Sequence, residues 1–180
     1  MTLTLINEFQ IDANTSKEIN ALLQSVFADI DFRGRDYFKQ LPHYRLLAQK
    51  DERLIGHLGI DYRVMNLNGH AVKVFGVIDL CVSPTAQGQG IGKQLMLEFE
   101  AIAQRHANKI DFLFLVTDTP DFYSKLGYQQ TKITTTWLKI DHHENYGLDT
   151  ERIKDALFMI KPVSDKQWAD GDLDMLGYMY

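Results

Sequence analysis

Val77-Ile78-Asp79-Leu80-Cys81-Val82-Ser83-Pro84-Thr85-Ala86-Gln87-Gly88-Gln89-Gly90-Ile91-Gly92-Lys93 reads as a strand, a glycine loop and the start of a helix. The residues before Ser83 are nearly all apolar and rich in β-branched types, as in a buried strand, and Pro84 cannot continue the ladder. Glycines at 88, 90 and 92 remove Cβ atoms, so the backbone can bend sharply and bring its N–H groups against a ligand. Ile91, Leu95, Phe99, Ile102 and His106 then recur every three or four residues. That pattern puts the glycines at a helix N-terminus, where unpaired amides and the dipole favour an anion. The stretch is an anion cradle of a size that suits a pyrophosphate.

Spacing narrows the ligand. A Walker loop requires glycine where Gln87 stands and a hydroxyl where Gln94 stands, and a dinucleotide fingerprint requires glycine where Lys93 stands. The pattern Gln/Arg-x-x-Gly-x-Gly/Ala is met, by Gln87, Gly90 and Gly92 after Leu-Cys-Val-Ser-Pro. This resembles the acyl-CoA loop of the GNAT superfamily of N-acetyltransferases. Downstream, Ile110 to Thr117 is a second apolar run, followed by Asp118-Thr119-Pro120-Asp121-Phe122-Tyr123-Ser124-Lys125-Leu126-Gly127-Tyr128. Asp118 or Thr119 suits a helix cap, Pro120 the first helical position and Gly127 the exit, so a short helix is expected. Phe-Tyr-x-Lys-Leu-Gly-Tyr is similar to the superfamily's second signature, whose tyrosine faces the sulfur of coenzyme A.

Composition bounds the rest. A chain of 180 residues with 45% hydrophobic content suits one globular domain, residues 1–180. A net charge of -5 argues against nucleic acid or an anionic membrane as principal partner. The single cysteine allows no internal disulfide, no apolar run is long enough to span a bilayer, and the N-terminus lacks the features of a signal peptide. The cytoplasm is the expected compartment, no metal is expected, and the chain is read as a monomer or homodimer.

Taken in order, residues 3 to 11 read as a strand, followed by a helix capped by Thr15 or Ser16 that buries Ile19, Leu22, Leu23, Val26 and Phe27 and ends near Asp29. His43–Gln49 and Leu54–Met65 form a hairpin around residues 50–53, and Asn68-Gly69 marks a second turn into the central strand. Strand, helix, strand after that requires a parallel pair around Leu80 and Phe114, with a ligand slot opening at its carboxyl end. Thr131–Ile140 reads as a strand, residues 141–147 as a polar loop, Ala156–Pro162 as a last strand, and the apolar tail from Trp168 as a segment packed back on the domain. The fold class is therefore α/β in the α+β sense. The resemblance implies a mixed, mainly antiparallel sheet with a splayed parallel central pair, flanked by helices. Trp-x-x-Gly-x-Leu-Asp in the tail is more weakly similar to the branch of aminoglycoside 2'-N-acetyltransferases and nodulation acyltransferases.

Acetyl transfer needs an anchored thioester, an uncharged amine, a donor to the oxyanion and an acid for the thiolate. The resemblance assigns anchoring to the amides of Gly88, Gln89, Gly90, Ile91, Gly92 and Lys93 with Gln87, and adds Asp118 to the acetyl-CoA contacts. Main-chain groups of Leu80, Cys81 and Val82 are expected to pair with the pantetheine arm, one amide facing the thioester oxygen. Tyr123 is the expected acid. Asp79 is the candidate base, a buried aspartate satisfied by backbone being the alternative. His57 and Asp61 alternate on one face of the preceding strand as further pocket candidates, against the ordinary reading of a structural histidine. Cys81 reads as a small core residue rather than a nucleophile, so direct attack in a ternary complex is expected.

For the acceptor, a primary amine of a small molecule, the resemblance points to the loop around Phe32 and Arg33. Asp141, Glu144, Asp149, Asp170, Asp172, Asp174 and Tyr180 suggest a cation, with plain solvated acidic surface as the alternative. Two other functions fit the same signatures: an acyl-CoA-binding sensor without turnover, and acetylation of a protein lysine or N-terminus.

Overall fold

The computed structural model describes residues 1–151 and 158–180. The described chain divides into two compact units, Met1–Asp61 with Ile78–Ile102, and Tyr62–Val77 with Ala103–Tyr180. Two long strands, β3 (Arg53–Leu67) and β4 (His70–Val82), run through both.

In the first unit, β1 (Thr2–Asn7) pairs antiparallel with β2 (Tyr44–Lys50), and β2 with the first half of β3. The expected β2–β3 turn is present, with Asp51 at φ 49° and Glu52 at φ 61°, the left-handed pair that a tight hairpin demands. The first strand stops at Asn7, and Glu8–Gln10 forms a single 3-10 turn instead of continuing it. Helix α1 (Ala13–Val26) is capped by Asp12, not by Thr15 or Ser16. One Asp12 oxygen accepts from the amides of Asn14 and Thr15, both at 2.8 Å, and those bonds lower its pKa. Ile19, Leu22 and Leu23 pack with Phe32, Leu47 and Cys81 into one core cluster. Helix α2 (Ile91–Arg105) buries Ile91, Leu95, Met96, Phe99 and Ile102, but stops before His106, which is exposed.

In the second unit, β5 (Phe112–Val116) pairs parallel with β4 through Val74↔Phe112, Phe75↔Leu113 and Gly76↔Phe114. The expected parallel pair is there, with Phe114 opposite Gly76, and the ladder ends at that pair although both strands continue. After β5 come α3 (Pro120–Ser124), β6 (Gln129–Gln130), β7 (Ile133–Asp141), β8 (Glu144–Glu151), β9 (Phe158–Pro162) and β10 (Gly171–Tyr178). Of the expected last strand, Ala156 and Leu157 lie outside the described residues. The polar stretch 141–147 is a tight hairpin turn at His142 and His143 leading directly into β8, because both residues take left-handed φ of 48° and 68°. A second parallel pair, β10 with β7, was not expected: the tail does pack back, but as a strand. The sheet is thus mixed and mainly antiparallel.

Phe112, Phe114, Phe158, Ile160, Leu173 and Met175 form the second unit's core, with Trp168 and Tyr180 packed against it. Gly76 is where Tyr180 enters: a Cβ built on Gly76 would overlap the Tyr180 ring. Gly76→Ala is therefore expected to destabilise the protein by about 1–3 kcal/mol in denaturant unfolding. The penalty should largely vanish in a Tyr180→Ala background, where the ring is gone.

Candidate active site

The glycine loop belongs to the first unit. After β4, Pro84–Ala86 makes a 3-10 turn, and the Ser83 amide donates to Ile55 O at 2.9 Å, tying the loop to β3. Gly88 (φ 74°) and Gly90 (φ 77°) take the left-handed region, whereas Gly92 is an ordinary helical residue. Gly90 caps α2, its carbonyl accepting from Gln94 N at 3.0 Å. The amides of Ile91, Gly92 and Lys93 thus fall in the first turn, where a helix supplies no partners. No heavy atom lies within 4 Å of a Cβ built on Gly88 or Gly90, so the loop stands open. Gln87 donates through Nε2 to Val82 O at 3.2 Å. Beside the loop, Lys50, Arg53, Thr85 and Gln89 line a cleft of about 370 Å³.

Asp79 lies in β4 at φ 49°, a left-handed residue in the middle of a strand. Asp and Asn tolerate this region better than most side chains do, and the backbone departs from extended geometry at this one residue. Its carboxyl is half-buried, and burial pushes its pKa up to about 6 against the opposing charges of Arg45 and Lys39. Cys81 is 3% exposed, and burial together with the Asp79 charge pushes its thiol far up, so a thiolate nucleophile is disfavoured.

His57 is 1% exposed, with Nδ1 at 3.0 Å from Asp79 O and Nε2 at 3.2 Å from Arg45 Nη1. Burial and the Arg45 charge lower its pKa to about 3, so it is neutral at physiological pH. Both ring nitrogens are engaged within the chain, so His57 is structural rather than a contact for an acceptor. Asp61 is also buried and meets His43 Nδ1 at 2.9 Å. Phe32 is fully buried among Phe27 and Phe38, with ring centroids at 6.3 and 6.1 Å, and is a core residue instead of a pocket wall. Arg33 is exposed at φ 51°, its Nε 3.6 Å from Asp31 Oδ2.

Tyr123 belongs to the second unit, on α3. It is 8% exposed, packed edge-on against Phe122 and Tyr128 at centroid distances of 4.9 and 6.0 Å. Burial and the charge of exposed Asp118 push its pKa up to about 12, opposed by a hydrogen bond with the Thr117 hydroxyl. Thr117 Oγ1 also accepts from Thr119 N at 3.0 Å, so it fixes the entry to α3 in place of a Thr119 side-chain cap.

The acidic residues of the second unit have local work. Asp174 accepts from Leu176 N at 2.9 Å, and Asp170 from Lys132 N and Thr131 Oγ1, both at 3.0 Å. Glu144 accepts from Tyr146 Oη at 2.9 Å, and Asp149 lies 3.7 Å from Lys139 Nζ. Tyr180 packs edge-on at 5.9 Å from Phe114 and lies under Arg63 at 4.7 Å, holding the chain end on the core. The ordinary reading of these carboxylates, as structural and solvated groups, accounts for what they contact.

Sequence reasoning passed over Arg45, Glu8, Asp36 and Thr117. The signal for Arg45 was an arginine within the apolar strand Tyr44-Arg45-Leu46-Leu47-Ala48, where a charge is costly unless paired.

Comparison with known proteins gives a consistent family. A family model described as an acetyltransferase (GNAT) domain matches residues 10–131. A crystal structure of the Escherichia coli GNAT family N-acetyltransferase YhbS in complex with CoA is similar at 18% identity and TM-score 0.64, over 96% of this chain and 88% of that one. A Brucella melitensis GNAT family acetyltransferase in complex with acetyl-CoA is similar at 16% identity and TM-score 0.57, over 96% and 94%. A probable N-acyltransferase from Enterococcus faecalis shares 19% identity at TM-score 0.57, over 73% of this chain and 33% of that longer one. These likenesses establish the fold.

Proposed function

The chain belongs to the GNAT acetyltransferase family, and we propose that it moves an acetyl group from acetyl-CoA to a primary amine, with residues 1–180 acting as one catalytic domain. The observation that carries this reading is the α2 N-terminus: the amides of Ile91, Gly92 and Lys93 are presented from a loop opened by Gly88 and Gly90. Such an end holds the pyrophosphate of a coenzyme through N–H donors and the helix dipole. Similar structures hold CoA and acetyl-CoA, which supports the same choice here.

In the proposed reaction the amine nitrogen attacks the thioester carbon, the C–S bond breaks, and the nitrogen's proton leaves to a base. Leu80–Val82, beyond the last β4–β5 pair at Gly76, offers main-chain groups to the pantetheine arm and an amide to the oxyanion. Asp79 takes the proton, since a carboxyl at about 6 is ionised at neutral pH yet more basic than an ordinary aspartate. Tyr123 donates a hydrogen bond to the departing sulfur. The acceptor is an uncharged primary amine at the moment of attack; the acidic side chains of the second unit do not argue for an additional cation on it.

Calorimetry with acetyl-CoA, followed by thiol release with and without a broad amine library, tests the proposal. Binding with amine-dependent release supports it. Binding without release makes the protein an acyl-CoA sensor, release only with peptides makes the acceptor a protein, and no binding of any coenzyme A derivative removes the reading.

Asp79→Asn gives a separate check. Because its folded pKa is raised above 3.8, Asp79 favours the folded state most when protonated; that contribution is present below pH 4 and lost as pH rises through about 6. Asparagine keeps the left-handed backbone without the charge. The variant is expected to gain up to about 3 kcal/mol at pH 7 and nothing at pH 3.5, as measured by urea unfolding. Its turnover should fall, and the wild-type loss of activity below about pH 6 should disappear from its pH profile.

A further inference from the structure

A polar cluster in the first unit surrounds Arg45, and the cofactor cradle does not explain it. Arg45 is 1% exposed. Its Nε and Nη2 reach the two Glu8 oxygens at 2.6 and 2.9 Å, a bidentate pair. Nη1 donates to Asp36 O at 2.7 Å, and Nη2 lies 3.5 Å from Asp36 Oδ1. The remaining contact of Nη1 is His57 Nε2 at 3.2 Å. A guanidinium can only donate, so Nε2 must accept and the ring proton must sit on Nδ1. Nδ1–H then donates to Asp79 O at 3.0 Å. One donor chain thus runs from a buried guanidinium on β2, through a histidine on β3, to the carbonyl of the left-handed residue on β4.

The direction of this chain has a consequence for β4. A left-handed aspartate within a strand is strained and persists only where its surroundings over-determine it. Its carbonyl, drawn toward β3 by His57, sets the orientation of the peptide leading into Leu80, Cys81 and Val82. We propose that Arg45, acting through the Nδ1-protonated tautomer of His57, is a positioning element that holds the left-handed backbone at Asp79, and with it the Leu80–Val82 amides and the Asp79 carboxyl, in the arrangement acyl transfer requires. This rests on the acetyl-transfer reading. The charged and titratable groups acting on Asp79 are Arg45 on β2 and Lys39 on the loop before it, while His57 on β3 binds its carbonyl and Cys81 on β4 feels its charge. Glu8 and Asp36 fix the guanidinium from the other side, so the loop that carries Asp36 is part of the same arrangement.

Two measurements test this. Nitrogen-15 NMR of the histidine-labelled wild type is expected to show His57 neutral down to pH 5 with the proton on Nδ1; a titration near 6.5, or a proton on Nε2, overturns the proposal. His57→Phe keeps a flat ring but removes both nitrogens, whereas His57→Gln keeps one donor and one acceptor. With each variant assayed at least ten degrees below its own Tm, His57→Phe should lose tenfold or more in kcat while its acetyl-CoA Kd by calorimetry stays within threefold of wild type. His57→Gln should recover part of that loss. Wild-type kcat in folded His57→Phe, or parallel loss of turnover and coenzyme binding in both variants, overturns the positioning role. If the wild type itself binds no acetyl-CoA, it is the acetyl-transfer reading that fails; if wild type turns over and His57→Phe equals it, only the positioning role fails.

Discussion

Gly90→Val is expected to weaken acetyl-CoA binding at least tenfold while leaving the helical and strand content of the protein intact. Gly90 stands at φ 77° and its carbonyl starts the α2 hydrogen-bond ladder. Space is not the obstacle, because nothing lies within 4 Å of the added Cβ. The obstacle is the backbone: a β-branched residue in the left-handed region costs at least about 1–2 kcal/mol, relieved only if the loop flips to negative φ. Either way the amides of Ile91, Gly92 and Lys93 lose their aim, and each 1.4 kcal/mol lost from the complex is about tenfold in affinity. Gly90→Asn is the informative control, since asparagine visits the left-handed region readily; it should bind within about threefold of wild type. Calorimetry on the two variants decides the matter: equal, wild-type affinity in Gly90→Val would show that these amides do not hold the coenzyme.

Tyr123→Phe is expected to lower kcat by tenfold or more with acetyl-CoA affinity unchanged. The environment of the hydroxyl says which kind of acid it is. With its pKa pushed up to about 12, Tyr123 remains protonated over the whole working range. Complete proton transfer to a thiolate whose conjugate acid lies near 8.5 would be uphill by about 5 kcal/mol. In the proposed reaction the hydroxyl therefore stabilises the leaving sulfur by a hydrogen bond that strengthens as charge develops, while the nitrogen's proton goes to Asp79 and the released thiolate takes its proton from there or from water. A consequence follows for the pH profile: no loss of turnover attributable to Tyr123 should appear below about pH 10. Thr117→Val, which removes the hydroxyl partner of Tyr123, should lower kcat less than Tyr123→Phe does, because the phenol itself remains. Undiminished turnover in Tyr123→Phe would eliminate the role.

Much of the fold was legible because it rests on local chemistry. Asn68-Gly69 can make few things other than a tight turn, and the three-four spacing of Ile91, Leu95, Phe99 and Ile102 fits a one-sided helix. Asp12 was missed as the α1 cap because Thr15 and Ser16 are equally good caps by residue type, and only the backbone reveals where the first turn begins. Residues 141–147 looked like a loop since polar residues dominate both turns and solvent-facing strands; β8 is exposed along nearly all its length and has no apolar alternation to announce it. The loop and the start of α2 were readable from the glycines at 88, 90 and 92 because a left-handed turn into a helix is a local property of the backbone. The pairing of His57 with Asp79 was not, for it depends on a left-handed strand residue and on a guanidinium twelve residues upstream of the histidine, neither of which leaves a periodic mark. Phe32 and Tyr180 show the converse: aromatic residues in irregular segments can close a core as readily as line a pocket.

The inertness of Cys81 has a practical side. The chain's sole sulfhydryl is walled into the α1 cluster and strongly reluctant to ionise, so disulfide reagents that colour on meeting coenzyme A should find nothing to react with on the folded polypeptide. A colorimetric readout of turnover thus carries its own integrity gauge: any slow background reaction without substrate reports the fraction of molecules that have opened up.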